Sequence, residues 1–209
     1  MLLMEKVRGA FNASWSTIQG ISPYLGSGGF GDVYRVQVEG EQLALKVSKD
    51  GHMKAEFDTL KDAYVDKAPV VQVLCYQYED AFSAYTMKPV GTPITNLTRV
   101  IVPKLFRSLF MLHSFGWYHG NARWQNAIKS DGELLWCDFL SAKKFQPLQL
   151  YYRAYDLQKL VESVLKSKRI APVPGRSEIE GMLQVPLTDY NNIANLVLEA
   201  MSKGRPPKH

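Results

Sequence analysis

Residues 25–46 read LGSGGFGDVYRVQVEGEQLALK, and this stretch decides the fold. A G-x-G-x-x-G pattern that binds a dinucleotide should follow a strand and open a helix. Here it is followed by VYRVQV at 33–38, where apolar and polar side chains alternate as they do in a strand. No Gly-Lys-Ser or Gly-Lys-Thr follows, which excludes a Walker-type phosphate loop. The glycines are therefore expected in a hairpin loop between two strands.

The next strand, after a turn at Glu39-Gly40, carries Ala44 and Lys46. Because side chains on a strand alternate between faces, these two should project to the same side. A small apolar residue there can lie under a purine ring while the ammonium group reaches phosphate oxygens. The glycines let backbone N–H groups approach the same phosphates. The alternative is a glycine-rich hairpin with a solvated lysine.

Composition and charge place the chain among ordinary globular proteins. It has 209 residues, 46% hydrophobic and 22% charged, which fits one large domain or a small two-lobed one. The net charge of +5 is spread along the chain, apart from a basic tail at 203–209 that is expected to be disordered. Such scattered charge suits a phosphate ligand or weak nucleic-acid contact and proves neither.

The cysteines and the terminal segments carry further expectations. Cys75 and Cys137 lie in apolar segments, so we expect buried thiols in a reducing compartment and neither a disulfide framework nor a metal site. No apolar run approaches the length of a membrane span. The segment MLLMEK at 1–6 is too short and too charged for a signal peptide.

A second dense patch of polar residues lies at 118–140, which reads YHGNARWQNAIKSDGELLWCDFL. Two short strands flank the turn Asp131-Gly132. Asn126 precedes the first strand and Asp138 follows the second, so a hairpin should bring them together. Amide and carboxylate oxygens are ligands for Mg²⁺, which usually keeps waters and phosphate oxygens as its other ligands.

Together the two motif sets resemble those of protein kinases. The first matches G-x-G-x-x-G-x-V with a downstream Ala-x-Lys, and the second resembles the catalytic loop His-x-Asp-x-x-x-x-Asn followed by Asp-Phe-Gly. The resemblance spans roughly residues 22–165. The local form His-Gly-x-x-Arg-Trp-x-Asn also resembles a divergent kinase-like group of fungi and oomycetes that includes Crinkler-type effectors.

This resemblance implies a single domain with an α+β, bilobal, protein-kinase-like fold. Its N-lobe, at about 14–88, would hold a five-stranded antiparallel sheet. A hinge at about 88–94 would lead to a reduced helical C-lobe at about 95–202. Periodicity predicts a short strand at 14–21, strands at 70–78 and 82–87, helices at 51–64, 96–113, 152–166 and 187–201, and mostly loop at 168–186.

The resemblance also implies ATP and Mg²⁺ as ligands. Lys46 would hold the α- and β-phosphates and pair with Glu56, with Asp58 as the second choice; the alternative is that Glu56 is a solvated surface charge. Asn126 and Asp138 would hold the metal. The nucleotide would lie against Leu25, Gly26, Ser27, Gly28, Gly29, Phe30, Gly31, Val33, Ala44, Lys46, Met87, Lys88 and Pro89.

Four departures from the family pattern bear on activity. Asn121 stands where kinases have the aspartate that accepts the substrate hydroxyl's proton. Gly120 replaces the arginine that in many kinases pairs with a phosphorylated loop, and Leu140 replaces the glycine after Asp-Phe. Only residues 141–151 separate this loop from the next helix, without Ala-Pro-Glu, so a platform for a peptide substrate is in doubt.

Neighbouring residues have weaker assignments. Arg123 stands where the family often has a cation facing the γ-phosphate, although a structural ion pair is equally open. His119 is expected to brace the loop through hydrogen bonds, and Trp124 to be a core residue. His113 is expected to be packed or capping. Asp156 resembles the aspartate that caps the catalytic loop from a later helix, with a helix N-cap as the alternative.

The leading hypothesis is a phosphotransferase domain that binds ATP and Mg²⁺ and is impaired by Asn121. That residue is either natural, which makes the chain a pseudokinase, or an engineered Asp→Asn change. One alternative is a pseudokinase that acts as a binding, scaffold or effector module. Another is an atypical kinase for a small molecule or a nucleic-acid-associated target. The expected location is intracellular, in cytoplasm or nucleus, and within a host cell if the chain is a secreted effector.

Overall fold

The computed structural model divides the chain into two compact units. One comprises residues 1–65 and 70–91, and the other comprises residues 66–69 and 92–209. The predicted basic tail lies, beyond Lys203, outside the described residues. The described residues are 2–14, 18–28, 31–48, 53–79, 82–146, 149–170, 174–183 and 186–203.

The first unit is built on a five-stranded antiparallel sheet, which confirms the predicted sheet and the α+β class. The first, second, third, fifth and fourth strands lie side by side in that order. Glu39 and Gly40 both have positive φ, which suits the tight turn between the second and third strands. The strands are β1 (Ile18–Gly28), β2 (Gly31–Val38), β3 (Glu41–Ser48), β4 (Gln72–Glu79) and β5 (Phe82–Lys88).

A helix that was not predicted, α1 (Leu2–Ser14), precedes this sheet. The short strand expected at 14–21 is therefore wrong at its start, because the helix runs to Ser14 and the strand begins at Ile18. Val7 and Phe11 lie one helical turn apart and are both fully buried against one face of the sheet. That face contributes Ile18, Val36, Val38, Leu43, Leu45, Val47, Phe82 and Ala84 to the same cluster.

The helix expected at 51–64 is α2 (Met53–Val65). It packs on β4 and β5, where Phe57 makes ring contacts with Tyr76 and Tyr85. Leu60 and Ala63 are fully buried on the same side of the helix. This packing fixes the direction of the first helical turn, which carries Glu56.

The second unit packs three long helices together, and a small hairpin lies against the first of them. Ser108 on one of these helices donates to the Leu134 carbonyl of the hairpin at 2.9 Å. Its helices are α3 (Ile101–Ser114), α4 (Leu150–Ser167), α5 (Arg176–Gly181) and α6 (Pro186–Lys203). Its strands are β6 (Thr92–Pro93), β7 (Trp117–Tyr118), β8 (Ala127–Ser130), β9 (Glu133–Trp136) and β10 (Lys143–Lys144).

Helix α3 begins at Ile101, so the start predicted at residue 96 is wrong. Pro103 explains the difference, since inside a helix its ring would clash with the carbonyl four residues earlier and it has no N–H to donate. In the first turn that N–H has no partner in any case. Thr98 caps this start by accepting hydrogen bonds from the N–H groups of Ile101 and Val102. The stretch 168–186, expected to be mostly loop, contains the short α5.

Cys75 and Cys137 are each half-buried, whereas the sequence predicts buried thiols. Among the described residues, no helix is both long enough and apolar enough to cross a membrane.

Candidate functional site

The predicted pairing of Lys46 with Glu56 is present in the first unit. Lys46 Nζ lies 2.7 and 2.8 Å from the two carboxylate oxygens of Glu56. Lys46 is 7% exposed and Glu56 is 1% exposed, so Glu56 is not the solvated surface charge of the alternative. Asp58, the second choice, is bonded to Lys54 on the exposed side of α2. A buried charge of this kind persists only when it is paired.

Strand register places four of the predicted nucleotide contacts on one face of the sheet. Lys46 lies opposite Val33 on β2, and Ala44 lies opposite Met87 on β5. Residues directly opposite in an antiparallel pair share a face, and residues two apart on a strand do so as well. This is the face that α1 does not cover, because the α1 cluster takes the alternate residues Leu43, Leu45 and Val47.

The described part of the glycine segment lies at the paired ends of β1 and β2. Leu25 is half-buried and Ser27 is exposed, and Gly26 and Gly28 lie opposite Val33 and Gly31. Gly31 has φ +141°, and a Cβ there would lie 2.4 Å from the Val47 carbonyl oxygen, so the fold needs glycine at this position. At Gly26 a Cβ would meet no described atom within 4 Å. The predicted contacts Gly29 and Phe30 lie outside the described residues.

The predicted hinge residues stand at the end of β5. Met87 is buried in the sheet, whereas Lys88 and Pro89 are half-buried. Lys88 Nζ forms an exposed ion pair with Glu41 at 3.0 Å. Pro89 has no N–H, and its carbonyl accepts the Gly91 N–H at 3.0 Å. Of these three residues, Pro89 is the one that cannot donate a backbone N–H to a ligand.

In the second unit, Asp156 holds the loop that carries Asn121. Its carboxylate accepts the N–H of His119 at 2.7 Å and the N–H of Gly120 at 2.9 Å. Asp156 is fully buried in the middle of α4, so it caps the loop and is not a helix N-cap. Two charge-assisted hydrogen bonds to adjacent N–H groups fix the backbone just before Asn121.

A buried chain of hydrogen bonds continues from Asp156 to α6. His113 Nε2 lies 3.1 Å from an Asp156 oxygen, and His113 Nδ1 is bonded to the Tyr190 hydroxyl. Burial lowers the pKa of His113, and the Asp156 carboxylate only partly opposes this. We therefore read His113 as neutral, donating from Nε2 to Asp156 and accepting at Nδ1 from Tyr190. This places His113 as a packed residue that supports Asp156.

His119 braces the loop from within. Its Nδ1 accepts the Asn121 N–H at 3.3 Å, and its Nε2 lies 3.1 Å from the Cys137 carbonyl oxygen. These partners require a neutral ring with its proton on Nε2. Burial also lowers the pKa of His119. The ring therefore ties Asn121 to the segment that leads into Asp138.

We expect the free energy of unfolding to fall as the pH drops below 6.5. His113 and His119 have pKa values lowered from 6.5 in the folded protein, so near pH 6 the unfolded chain binds protons that the folded chain does not. With both histidines contributing, the slope approaches about 2.7 kcal/mol per pH unit. Urea denaturation at pH 7.5, 6.5 and 5.5 measures it, and His113→Gln should reduce the slope by about half. A flat profile above pH 5.5 would show that these rings are not neutral.

Gly120 is required by the loop geometry. It has φ +77°, and a Cβ there would lie 2.4 Å from the Ser141 carbonyl oxygen. Any side chain at this position would force the two segments apart. Arginine, which many kinases have at this position, would therefore clash with the Ser141 backbone.

Asn126 and Asp138 stand at the open end of the β8–β9 hairpin. The Cys137 N–H donates to the Asn126 carbonyl at 2.9 Å, one step beyond the last strand pair, and Asp138 is the next residue. Asn126 Nδ2 donates to the Asn121 carbonyl at 2.9 Å, which turns Oδ1 away from that carbonyl. Asp138 has φ +65°, an uncommon backbone state for a non-glycine residue that often marks functional sites.

The remaining loop residues lie against α4. Trp124 donates from its backbone N–H to Ser163 Oγ at 3.3 Å and from Nε1 to the Ser163 carbonyl at 3.2 Å. It is half-buried, so the expectation of a core residue is only partly met. Arg123 is exposed, and its charge is one of those that lower the pKa of Glu162, after the larger effect of Lys166.

Taken separately, the two units bring together two kinds of polar groups. The first has a buried ammonium–carboxylate pair on a sheet face. The second has an amide and a carboxylate at one end of a hairpin, beside a braced loop. No cluster of three or more His, Cys, Asp or Glu side chains suited to a metal occurs among the described residues. Asn126 with Asp138 is a smaller donor set, one that relies on water or phosphate for its other ligands.

Comparison with protein-family models finds no match to this chain, and comparison with curated proteins finds none either.

Two supporting features were not predicted from the sequence. His113 was expected to pack, but its link between Tyr190 and Asp156 was not foreseen, and α1 was not foreseen as a cover for the sheet. The signal for α1 was Val7 and Phe11 at helical spacing. Tyr190 gave no such signal, since one tyrosine in an amphipathic helix does not indicate which buried group it meets.

Proposed function

We propose that the chain is a protein-kinase-like domain, with the bilobal arrangement of that family, that binds ATP with Mg²⁺ and transfers phosphate poorly. The observation that carries the proposal is the buried Lys46–Glu56 pair on the sheet face that also presents Ala44 and Val33. Structural ion pairs of this burial are uncommon because both charges must leave water. A lysine held by a carboxylate and directed to one face is well suited to phosphate oxygens.

The glycine hairpin supports a phosphate ligand. Gly31 is needed by the fold, but Gly26 is not, because a Cβ there would be in open space. A glycine that the fold does not require is accounted for if a ligand approaches the backbone at that point. In the proposed complex Gly26, Ser27 and Gly28 cover the phosphates while Ala44 and Met87 lie against the base.

The second unit would supply the metal ligands. Asn126 Oδ1 and the Asp138 carboxylate are hard oxygen donors of the kind that Mg²⁺ takes alongside phosphate oxygens and water. Bound there, the ion would neutralise charge on the phosphates. Asp156, His113 and His119 act on this site by fixing the backbone between Gly120 and Cys137.

Asn121 limits what the bound nucleotide can do. In the family the equivalent aspartate accepts the proton of the attacking hydroxyl. A carboxamide is not a base near neutral pH, so transfer loses the contribution of that group while nucleotide binding does not depend on it. This favours, as the second candidate, a pseudokinase that uses the nucleotide as a structural ligand and acts by binding a partner.

Isothermal titration of the full chain with ATP, with and without Mg²⁺, tests the proposal. We expect binding that is stronger with Mg²⁺ and that loses this dependence in Asp138→Asn. The matched control is Asp131→Asn, which removes the same charge from the exposed turn at the other end of the hairpin and should not change the titration. No heat and no thermal stabilisation with ATP and Mg²⁺ would overturn the proposal.

A matched pair of glycine variants distinguishes an effect on folding stability from an effect on ATP binding. Gly31→Ala should lower the free energy of unfolding by about 2 kcal/mol or more, because it adds a steric clash to an unfavourable φ. Gly26→Ala should leave stability within about 0.5 kcal/mol and weaken ATP binding about tenfold. Urea denaturation and titration measure the two effects. If Gly26→Ala binds ATP as well as the parent chain, the hairpin does not cover the phosphates.

A further inference from the structure

One outward side of α4 carries a stripe of large aromatic and charged side chains. Tyr152, Tyr155, Lys159, Glu162 and Lys166 follow one another at intervals of three and four residues, so they lie in a row along the helix. The first four are half-buried and Lys166 is exposed. We name this row the α4 stripe. None of these five residues is assigned to ATP or Mg²⁺.

The N-terminal end of the α4 stripe is an aromatic cluster. The Tyr118 ring on β7 lies 5.0 Å from the Tyr152 ring and 5.8 Å from the Tyr155 ring. Tyr151 packs edge-on against Tyr152 at 5.4 Å and is 49% exposed. Rings that pack on one another at an exposed surface are held in place before any partner arrives. They offer planar faces at little further cost in side-chain entropy.

Two cations lie next to these rings, and others lie further along the helix. Lys159 Nζ lies 5.3 Å from the centre of the Tyr155 ring, and Lys143 lies directly opposite Tyr118 in the β7–β10 pair. Arg123 is exposed and close enough to Glu162 to affect its pKa. Glu162 is itself bonded to Lys166, which offsets its charge. The described surface here therefore has an excess of positive charge.

We propose that the α4 stripe, with Tyr118, Tyr151, Lys143 and Arg123, binds single-stranded nucleic acid. Every base has a planar face that can stack on an aromatic ring, and the cations can follow the phosphates, which is the usual combination in proteins that bind single strands. A duplex would not present its base faces to these rings. An acidic peptide would use the cations but would leave the tyrosine rings without a matching group.

Fluorescence anisotropy with a labelled oligo-dT of twelve nucleotides and the full chain tests the proposal, without ATP. We expect binding about twentyfold weaker at 200 mM than at 50 mM salt, as about three phosphate contacts would give for a single strand. Lys143→Gln with Lys159→Gln should weaken binding about tenfold at 50 mM salt. The matched control, Arg8→Gln with Lys61→Gln, removes two exposed cations from the first unit and should change it less than twofold.

The tyrosine rings are tested separately from the charge. Tyr151→Leu should weaken oligo-dT binding about fivefold, while Tyr151→Phe, which keeps the ring face, should bind as the parent chain does. The proposal is overturned if the control double variant weakens oligo-dT binding as much as the variant of Lys143 and Lys159 does, or if Tyr151→Leu does not weaken it. It is also overturned if an oligo-glutamate of equal charge competes as well as unlabelled oligo-dT. None of these experiments uses ATP. A negative result with oligo-dT therefore does not bear on the proposal that the chain binds ATP, which the ATP titration tests separately.

Discussion

Asn121→Asp is expected to raise the rate of phosphate transfer by about 10²–10⁴, the usual contribution of a general base. The loop is already braced for it: the Asn121 N–H donates to His119 and its carbonyl accepts from Asn126. Both contacts use the backbone, so they survive the substitution. The side chain changes by one atom and gains a carboxylate that can accept a proton. Transfer from labelled ATP to water and to a panel of protein, small-molecule and nucleic-acid acceptors measures the gain.

Asn121→Ala is the control, because it removes the amide without adding a base and should stay at the parent rate. ATP binding should be similar in all three chains, which separates chemistry from binding. If Asn121→Asp binds ATP and remains at the parent rate with every acceptor, the chain is better explained as a nucleotide-binding module without transfer. If Asn121→Ala gains as much, the residue at this position does not act as a base.

Glu56→Gln is expected to lower the free energy of unfolding by about 3–5 kcal/mol and to abolish measurable ATP binding. The substitution leaves the Lys46 ammonium group at a 7% exposed position without the carboxylate that now holds it at 2.7 and 2.8 Å. Removing one partner of a buried pair costs more than removing both. Lys46→Met with Glu56→Leu should therefore recover much of the stability and still fail to bind ATP.

Asp58→Asn is the matched control for Glu56→Gln. It removes a carboxylate from the same helix, where Asp58 pairs with Lys54 at half-exposed positions. Exposed pairs of this spacing contribute about 0.3–0.5 kcal/mol, so the control should unfold close to the parent midpoint. If urea denaturation shows that both variants lose the same free energy of unfolding, the buried pair contributes no more to stability than the exposed pair does. ATP binding by the double variant would remove Lys46 from the proposed site.

Local sequence patterns predicted the elements that carry strong periodicity. The alternating segments gave the sheet, and the Asp131-Gly132 turn gave the hairpin that brings Asn126 close to Cys137 and Asp138. Lys46 could be assigned to a face because strand alternation is a geometric certainty. Its partner Glu56 lies only ten residues away, on the helix that directly follows the lysine strand.

Contacts between distant segments could not be predicted from the sequence. The pairing of His113 on α3 with Tyr190 on α6 depends on how two helices cross, which no local pattern fixes. The need for glycine at 120 arises from the Ser141 carbonyl of another loop. Apolar spacing alone predicts an earlier start for α3, but Pro103 in the first turn decides where the helix begins. In each case a tertiary contact or a backbone rule decided the outcome.

The most direct test of the central claim uses ATP with Mn²⁺ in place of Mg²⁺ and records the amide signals of the labelled chain by NMR. If the proposal is right, we expect the paramagnetic ion to broaden the signals of Ala44 and Lys46 in the first unit and those of Asn126 and Asp138 in the second. Asp131, at the far end of the hairpin, should remain sharp. Broadening confined to exposed acidic residues such as Asp131 and Glu133, with Lys46 and Asp138 unaffected, would contradict it.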